Sequence, residues 1–567
     1  MALLFLTLTA SLAYAKPPKM SKELAEAPSG SKVDVIVQFT KSPTAYHFNK
    51  VLARGGTMKR NLHGVIKGAA FSVPTAALAR LAEDPDITYI SADRPVHATA
   101  SSYTLDYHTA TVNAPYAWGR NHTGAGIGIA LIDSGMAGHP DLDPRVVYRQ
   151  DFTPANNPAD QYGHGTHVAG ILAGTGNRST GANNFYTFKG IAPQANLINL
   201  RVLDQNGSGT DSEVIAAINQ AISLKSKYNI RVINLSLGRP VYESYQLDPL
   251  CQAVEAAWKA GIVVVVAAGN DGRDNSAGTN GYGTITVPGN DPYVITVGAM
   301  KTMSTPSRAD DLIASYSSKG PTMLDHVVKP DLVAPGNNII STYKNNLTLA
   351  IENRGNQIPL MLYQSGNPPP GPGGPAPSPD YFMLSGTSMA APMVSGAAAL
   401  MLQQNPSLTP DQVKARLMKT ASKNFPQSSV AVDPVTGLSY TSQYDIFTVG
   451  AGYLDIQAAL SNTDLAPAVA GSALSPTVTQ DANGNTILVD GSSVIWGNSI
   501  LWGNSVVWGT SVLWGNNVSG QSVLWGSSVC WGASTVQGYS VVWGTSVVWS
   551  TAITDAGEAA IVIYGEN

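Results

Sequence analysis

Three short segments of this chain place a carboxylate, an imidazole and a hydroxyl where acyl-transfer chemistry could use them. In Ala130-Leu131-Ile132-Asp133-Ser134-Gly135 an aspartate ends an apolar run and a glycine follows. Such a strand end delivers its last side chain to the carboxyl edge of a sheet, where open α/β sheets gather their ligands. In Gly163-His164-Gly165-Thr166-His167-Val168-Ala169-Gly170 small residues flank His164 as it enters a helical pattern, which lets another chain approach the imidazole closely. In Leu384-Ser385-Gly386-Thr387-Ser388-Met389-Ala390-Ala391-Pro392 a serine precedes the small-residue helix Met393–Leu402. A serine at a helix N-terminus lies near unpaired N–H groups and the positive end of the dipole, which favour a developing oxyanion.

Taken singly, each segment has a plainer reading. Asp133 would be a turn former, Ser388 an N-cap, and His164 with His167 a zinc pair, although no third ligand accompanies them at helical spacing. Together they meet one chemical requirement. A serine hydroxyl is a poor nucleophile at neutral pH, so acyl transfer needs a general base beside it and a carboxylate that fixes the tautomer of that base.

The elements that must position these groups are legible. Between about Tyr116 and Gln457 continuous apolar runs, Gly128–Ile132, Ala195–Val202, Val232–Leu237 and Ile262–Ala268, alternate with helical patterns at Ser212–Tyr228 and Leu250–Ala260. Buried strands joined by helical crossovers predict an α/β domain, a parallel sheet flanked by helices. Thr409-Pro410-Asp411-Gln412 combines an N-cap, a proline at the first helical position and a capping-box glutamine, so a helix runs to about Thr420. Between Asn346 and Asp380 lies an insertion whose proline- and glycine-rich part, 366–375, reads as a mobile surface loop.

With 567 residues, two or three folding units are expected. A net charge of -4 gives no reason to expect a nucleic-acid partner. Two cysteines, Cys251 and Cys530, are too few for a disulfide framework. The apolar run ending in Ala13-Tyr14-Ala15 reads as a signal peptide over residues 1–15, so a secreted protein is expected. Residues 16–98 carry their own strand signals, Lys32–Phe39 and Asp86–Ile90, and a helical signal, Pro74–Ala82, giving a small α+β domain.

The three motifs, in the chain order Asp, His, Ser, resemble those of the subtilisin family of serine peptidases from about Val112 to Leu460. That order separates the chain from α/β-hydrolase and chymotrypsin-like enzymes, and so from a lipase or esterase using the same triad. The resemblance implies that His164 takes the proton of Ser388 and that Asp133 orients His164. It implies an oxyanion hole of the Asn270 side chain and the Ser388 backbone N–H, because Val263-Val264-Val265-Val266-Ala267-Ala268-Gly269-Asn270 is similar to the family's oxyanion strand. It also implies substrate-backbone binding along Ser236, Leu237 and Gly238, faced by Ala267, Ala268 and Gly269. Small, uncharged walls imply a broad or apolar P1 preference. The Val287–Pro288 bond becomes a candidate cis peptide, and Met389 a candidate site of oxidative inactivation.

The same resemblance makes residues 16–98 an inhibitory pro-domain, removed by the enzyme itself between about His97 and Ser102, and residues 99–461 the catalytic domain. The partners implied are protein or peptide substrates and the chain's own pro-domain. No cofactor is required for the chemistry; calcium is a candidate structural ion. Asp141 matches a carboxylate that many members use for calcium, yet the loop that normally supplies the other oxygens carries an insertion from Gly174 to Phe188. A catalytically silent member acting as an adhesion protein is the rival, and it gives no reason to retain Asp133, His164, Asn270 and Ser388 together.

Residues 462–567 form a tail in which the hexapeptide SVxWGx recurs over 493–551, with no charged residue between Gly491 and Thr554. An even repeat keeps every Trp on the face shared by the first aliphatic residue of an extended chain, so a β-rich stack or solenoid is expected. Cys530 stands where other copies have Val, Leu or Ile, and reads as a small hydrophobe. Such a tail could dock on the catalytic domain, bind a surface or carbohydrate, or self-associate.

Overall fold

In a computed structural model, residues 19–21, 24, 30–63, 66–93, 107–143, 145–276, 278–366, 376–433, 436–480, 486–489, 506–508, 512–514, 523–525, 529–531 and 566 are described. The expected signal peptide, the cleavage region 97–102, residues 367–375 of the proline-rich stretch and most of the hexapeptides lie outside them. The chain divides into two compact units, Met1–Ser102 and Tyr103–Asn567.

The first unit is built on a four-stranded antiparallel sheet of β1 (Lys32–Phe39), β2 (Thr57–Asn61), β3 (Gly68–Pro74) and β4 (Ile87–Ala92), in the order β2-β3-β1-β4. Alternation in β1 turns Val35, Val37 and Phe39 inward. There they meet Phe71, Val73, Ile87 and Ile90, together with Val51 from helix α1 (Ala45–Leu52) and Leu78 and Leu81 from α2 (Thr75–Ala82).

The second unit is a layered α/β structure whose central sheet runs β11-β10-β9-β8-β5-β7-β6, with β12 also pairing with β10. Its strands are β5 (Gly128–Asp133), β6 (Val146–Asp151), β7 (Asn196–Arg201), β8 (Ile230–Leu235), β9 (Val263–Ala267), β10 (Ile295–Lys301), β11 (Leu312–Ile313) and β12 (Leu332–Pro335). Every pairing is parallel except β10 with β11. Helices α3 (His164–Ala173), α4 (Asp211–Tyr228), α5 (Pro249–Lys259), α6 (Thr387–Gln404) and α7 (Pro410–Thr420) pack on this sheet or on its flanking helices. Central strands β5 and β9 are buried along their whole length, which is why they read as unbroken apolar runs.

The caps act as the sequence requires. The Thr409 hydroxyl accepts from the Gln412 amide, and the Gln412 side chain accepts from the Thr409 amide. The 346–380 insertion is more regular than its composition suggests. Beside the undescribed stretch it carries a short helix, Thr348–Glu352, and the strands β14 (Gln357–Pro359) and β15 (Pro377–Leu384), which form a sheet with β13 (Ile339–Thr342) in the order β13-β15-β14. Apolar side chains spaced among the polar ones supply the reason: Ile358, Tyr363 and Tyr381 bury themselves against Phe188 of the 174–188 insertion and Ile340. The two insertions fold onto each other.

Beyond the helix Ile456–Ser461, Ala466 and Ala473 pack on Ala415 and Met418 of α7, and Val478 packs on Val328 and Phe447. In the tail, Val506–Trp508 pairs in parallel with Val523–Trp525, and Val512–Trp514 with Val529–Trp531. Val287–Pro288 is cis, as are Gly320–Pro321 and Lys329–Pro330. Cys251 is a buried free thiol. Among the described residues no helix is long and apolar enough to cross a membrane.

Candidate active site

Strand β5 ends on Asp133, whose side chain is fully buried and whose Oδ1 lies 2.7 Å from His164 Nδ1. The same oxygen accepts from the Ser134 amide at 2.7 Å. His164 is the first residue of α3, and its side chain keeps 16% exposure. Glycines on both sides are needed for the approach. Gly163 adopts φ +116°, and a Cβ on Gly165 would meet the Gly135 carbonyl oxygen at 2.2 Å.

Asp160, a residue that motif reading missed, holds this junction. Its Oδ1 accepts from the Ser134 hydroxyl and the amides of Tyr162 and Gly163, and its Oδ2 from the Thr166 amide and hydroxyl. The Ser134 oxygen in turn accepts from the Gly165 amide at 2.8 Å. The end of β5 and the start of α3 are thereby tied together around the Asp133–His164 pair. Burial works to lower the imidazole pKa, but the charge and hydrogen bond of Asp133, with the further charge of Asp160, outweigh it and raise His164 above its ordinary value.

Ser388 is the second residue of α6. Its hydroxyl donates to the Ser236 carbonyl at 3.2 Å, and the Ser236 hydroxyl donates to the Ser388 carbonyl at 2.8 Å. A relay fixes Ser236: Ser395 donates to Asn234 Oδ1, and Asn234 Nδ2 donates to Ser236. Asn270 follows Gly269, which has φ +106°. Asn270 Oδ1 accepts from the Thr387 amide at 2.9 Å and the Thr387 hydroxyl at 3.1 Å. With its acceptor end so engaged, Nδ2 is the end of this carboxamide that can donate to a ligand.

Strand β8 stops at Leu235, two residues before the expected end, and pairing resumes only at Arg239 with Val287. Ser236, Leu237 and Gly238 therefore leave the sheet. Ala267, Ala268 and Gly269 lie at the end of β9 and just beyond it. Thr286 lies against both segments. A Cβ on Gly238 would fall 2.6 Å from Thr286 Oγ1, and one on Gly269 would fall 2.8 Å from Thr286 Cγ2. Met389 is buried, with 1% exposure.

His167 faces away from this site: its Nε2 donates toward the carbonyls of Ile339 and Phe382, so the zinc-pair reading fails. Asp141 is equally committed. Its Oδ1 accepts from the Arg178 amide at 2.8 Å, its Oδ2 from the Tyr381 hydroxyl at 2.6 Å, and its backbone carbonyl from Arg145 and Thr175. A shell of N–H and O–H donors does not fit a cation, which needs converging oxygens. Among the described residues no cluster of three or more His, Cys, Asp or Glu could hold a metal. Both carboxylate oxygens of Asp141 are thus spent on hydrogen bonds, from Arg178 of the 174–188 insertion and from Tyr381 of β15, and do not fit the calcium expected there.

Strand β5 ends on the aspartate of an aspartate–histidine pair, and α6 carries at its start a serine whose hydroxyl donates to the Ser236 carbonyl and, among the described residues, not to His164. This parallel α/β architecture is that of a serine peptidase of the subtilisin type. Residues 124–438 match the model of the subtilase family. The chain belongs to that family and is a subtilisin-like serine endopeptidase. It is 38% identical to the serine protease AprX of Bacillus subtilis (strain 168) over 410 residues, covering 69% of this chain and 83% of the relative. Subtilisin E of the same strain is 34% identical over 428 residues, covering 74% and 92%. The extracellular serine proteinase of Thermus sp. (strain Rt41A) is 34% identical over 389 residues, covering 67% and 77%.

Proposed function

We propose that the chain is made as a secreted zymogen and that Asp133, His164 and Ser388 are its catalytic triad. The observation that carries this reading is the 2.7 Å contact of His164 Nδ1 with Asp133. It commits Nδ1 as the protonated nitrogen and leaves Nε2 as the basic one. Rotation of the Ser388 hydroxyl from the Ser236 carbonyl toward Nε2 would complete the triad; hydrogen bonds of this kind are commonly loose without substrate.

The chemistry then follows. Ser388 Oγ bonds to the scissile carbonyl carbon while its proton passes to His164 Nε2. The resulting oxyanion receives hydrogen bonds from Asn270 Nδ2 and the Ser388 amide. The C–N bond breaks as His164 returns the proton to the leaving amine, and water repeats the sequence on the acyl-enzyme. The free edge of Ser236–Gly238 suits an extended peptide added as a further strand, with Ala267–Gly269 as the opposite wall and a broad or apolar P1 preference between them.

Residues 1–15 are assigned as the signal peptide and residues 16–98 as the pro-domain that inhibits the enzyme until it is cleaved near Ala98. Support for a pro-domain comes from its placement ahead of the catalytic segment and its small independent core. Expression of wild type and Ser388→Ala, with N-terminal mapping and casein digestion by mass spectrometry, tests the reading. Wild type should be trimmed near Ala98 and digest casein, and the variant should do neither. Equal trimming and digestion by both would refute it.

A further inference from the structure

Far beyond the catalytic motifs in sequence, Glu566 is buried inside the second unit with 7% exposure. Its carboxylate is bound by the Arg273 guanidinium and the Ser315 hydroxyl, accepts from the Ser315 amide at 3.1 Å, and lies 3.3 Å from Lys301 Nζ. Its backbone is clamped as well: the Glu566 amide donates to Asn337 Oδ1 and its carbonyl accepts from Asn337 Nδ2, both at 2.8 Å. Arg273 and Lys301 are themselves 7% and 6% exposed. The other arm of Arg273 holds Asp433 at 3.0 Å, and its guanidinium lies over the Tyr440 ring. Among the described residues two buried cations thus face two carboxylates, and removing Glu566 takes away the one that both cations touch.

Two walls of this pocket, at Arg273 and Asn337, adjoin the segments of the proposed active site. Arg273 comes three residues after Asn270. Asn337 sits in the turn after β12, whose next residue, Asn338, donates its amide to the Ser385 hydroxyl at 2.9 Å, three residues before Ser388. Gly336 of the same turn accepts from the Gly386 amide at 2.8 Å.

We infer that Arg273, Lys301, Ser315 and Asn337 form a receptor for a peptide glutamate, filled in cis by Glu566, and that Glu566 is a positioning residue joining the segment of Asn270 to the turn that holds Ser385 and Ser388. The inference rests on the assignment of Asn270 and Ser388 made above. It follows that residue 566 stays with the mature enzyme, because trimming it away would empty a pocket of buried cations.

Glu566→Ala deletes a CH2–COO⁻ group, the size of acetate, so sodium acetate is the probe. Relative to wild type, Glu566→Ala should lower kcat by roughly tenfold or more, assayed well below its Tm with KM nearly unchanged. Its Tm should fall by about 5 °C or more. Acetate should restore part of both against chloride at equal ionic strength, and should leave wild type unmoved. The isosteric Glu566→Gln should fall between the two. If the alanine variant does not mature, the Tm comparison and acetate response are read on the Ser388→Ala precursor with and without Glu566→Ala. Wild-type kcat and Tm in Glu566→Ala, or a fully active mature enzyme whose intact mass lacks residue 566, would overturn the inference. A kcat loss without any acetate response would equally count against the receptor. Activity surviving in Ser388→Ala would instead strike the triad assignment and leave the Tm result standing.

Discussion

The Nδ1 of His164 lies 2.7 Å from Oδ1 of Asp133, a carboxylate with no exposed surface. Burial alone would lower the imidazole pKa, and the neighbouring carboxylates reverse that effect. On the proposed reading His164 is the general base and must be neutral to accept a proton, so a raised pKa moves the loss of activity to higher pH. The acid limb of kcat/KM should therefore fall above 6.5, the ordinary histidine value. Asp133→Asn should lower kcat by about 10⁴-fold, the loss measured for other serine-peptidase triads. An acid limb at or below 6.5 in wild type would contradict this electrostatic account.

Asn270 is oriented through Thr387, which donates from both its amide and its hydroxyl. Asn270→Ala should reduce kcat by about 100- to 1000-fold with little change in KM, a range known from subtilisin itself. Thr387→Val keeps the amide and loses the hydroxyl, so its loss should be smaller, on the order of tenfold. Steady-state kinetics on one peptide substrate separate the cases. A Thr387→Val enzyme as slow as Asn270→Ala would mean that the hydroxyl does more than orient the carboxamide.

The strands, the helices and the three motif segments were legible because each obeys a local rule. Apolar runs mark doubly covered strands, Thr409 and Gln412 mark a cap, and glycines flank His164 where only glycine fits. What stayed hidden depends on long-range contact. Asp160 looks like any loop aspartate until its five donors are seen, although its place just ahead of a Gly-His-Gly run was a usable signal of a helix-start acceptor. Asp141 carried a familiar pattern, but Tyr381, 240 positions away, decides its role. Glu566 had no local signal at all, since its partners are spread from Arg273 to Asn337.

Thr286 contacts the space beside both Gly238 and Gly269, and on the proposed reading that space borders the P1 side chain. Thr286→Gly should enlarge it and raise kcat/KM for a phenylalanine P1 substrate over an alanine one by about tenfold. A series of peptide anilides differing only at P1 measures the ratio. An unchanged ratio would place the pocket elsewhere.

Because both Asp141 oxygens are held by neutral donors, a chelator should leave the Tm unchanged to the extent that this loop sets it. Tyr381→Phe should cost about 1–3 kcal/mol, since the buried carboxylate loses a donor. Calorimetry with and without EDTA, on Ser388→Ala to avoid autolysis, tests both. A large EDTA-induced drop that Asp141→Asn abolishes would restore the calcium site.

A further buried charge cluster contributes to the acid stability of the fold. Asp331 accepts Lys329 at 2.7 Å and lies 3.2 Å from Lys414, with all three side chains fully buried, and Ser475 donates to it at 2.6 Å. Burial would raise the carboxyl pKa, but the two ammonium groups and the hydrogen bonds prevail and lower it. A carboxyl depressed in the folded state contributes stability that is full above its unfolded value near 3.8 and is lost as pH falls through the folded one. Burial pushes Lys414 down to about 7 despite Asp331, so this lysine is only partly charged at neutral pH. Asp331→Asn removes the counter-charge from both buried lysines and should cost about 3–5 kcal/mol when measured at about pH 6, where Lys414 is charged. It should also flatten the acid side of the Tm–pH curve below that value, because the group that titrates there is gone. If the variant stays within about 1 kcal/mol of its parent, the lysines must be neutral in the folded protein and the cluster is not held by charge.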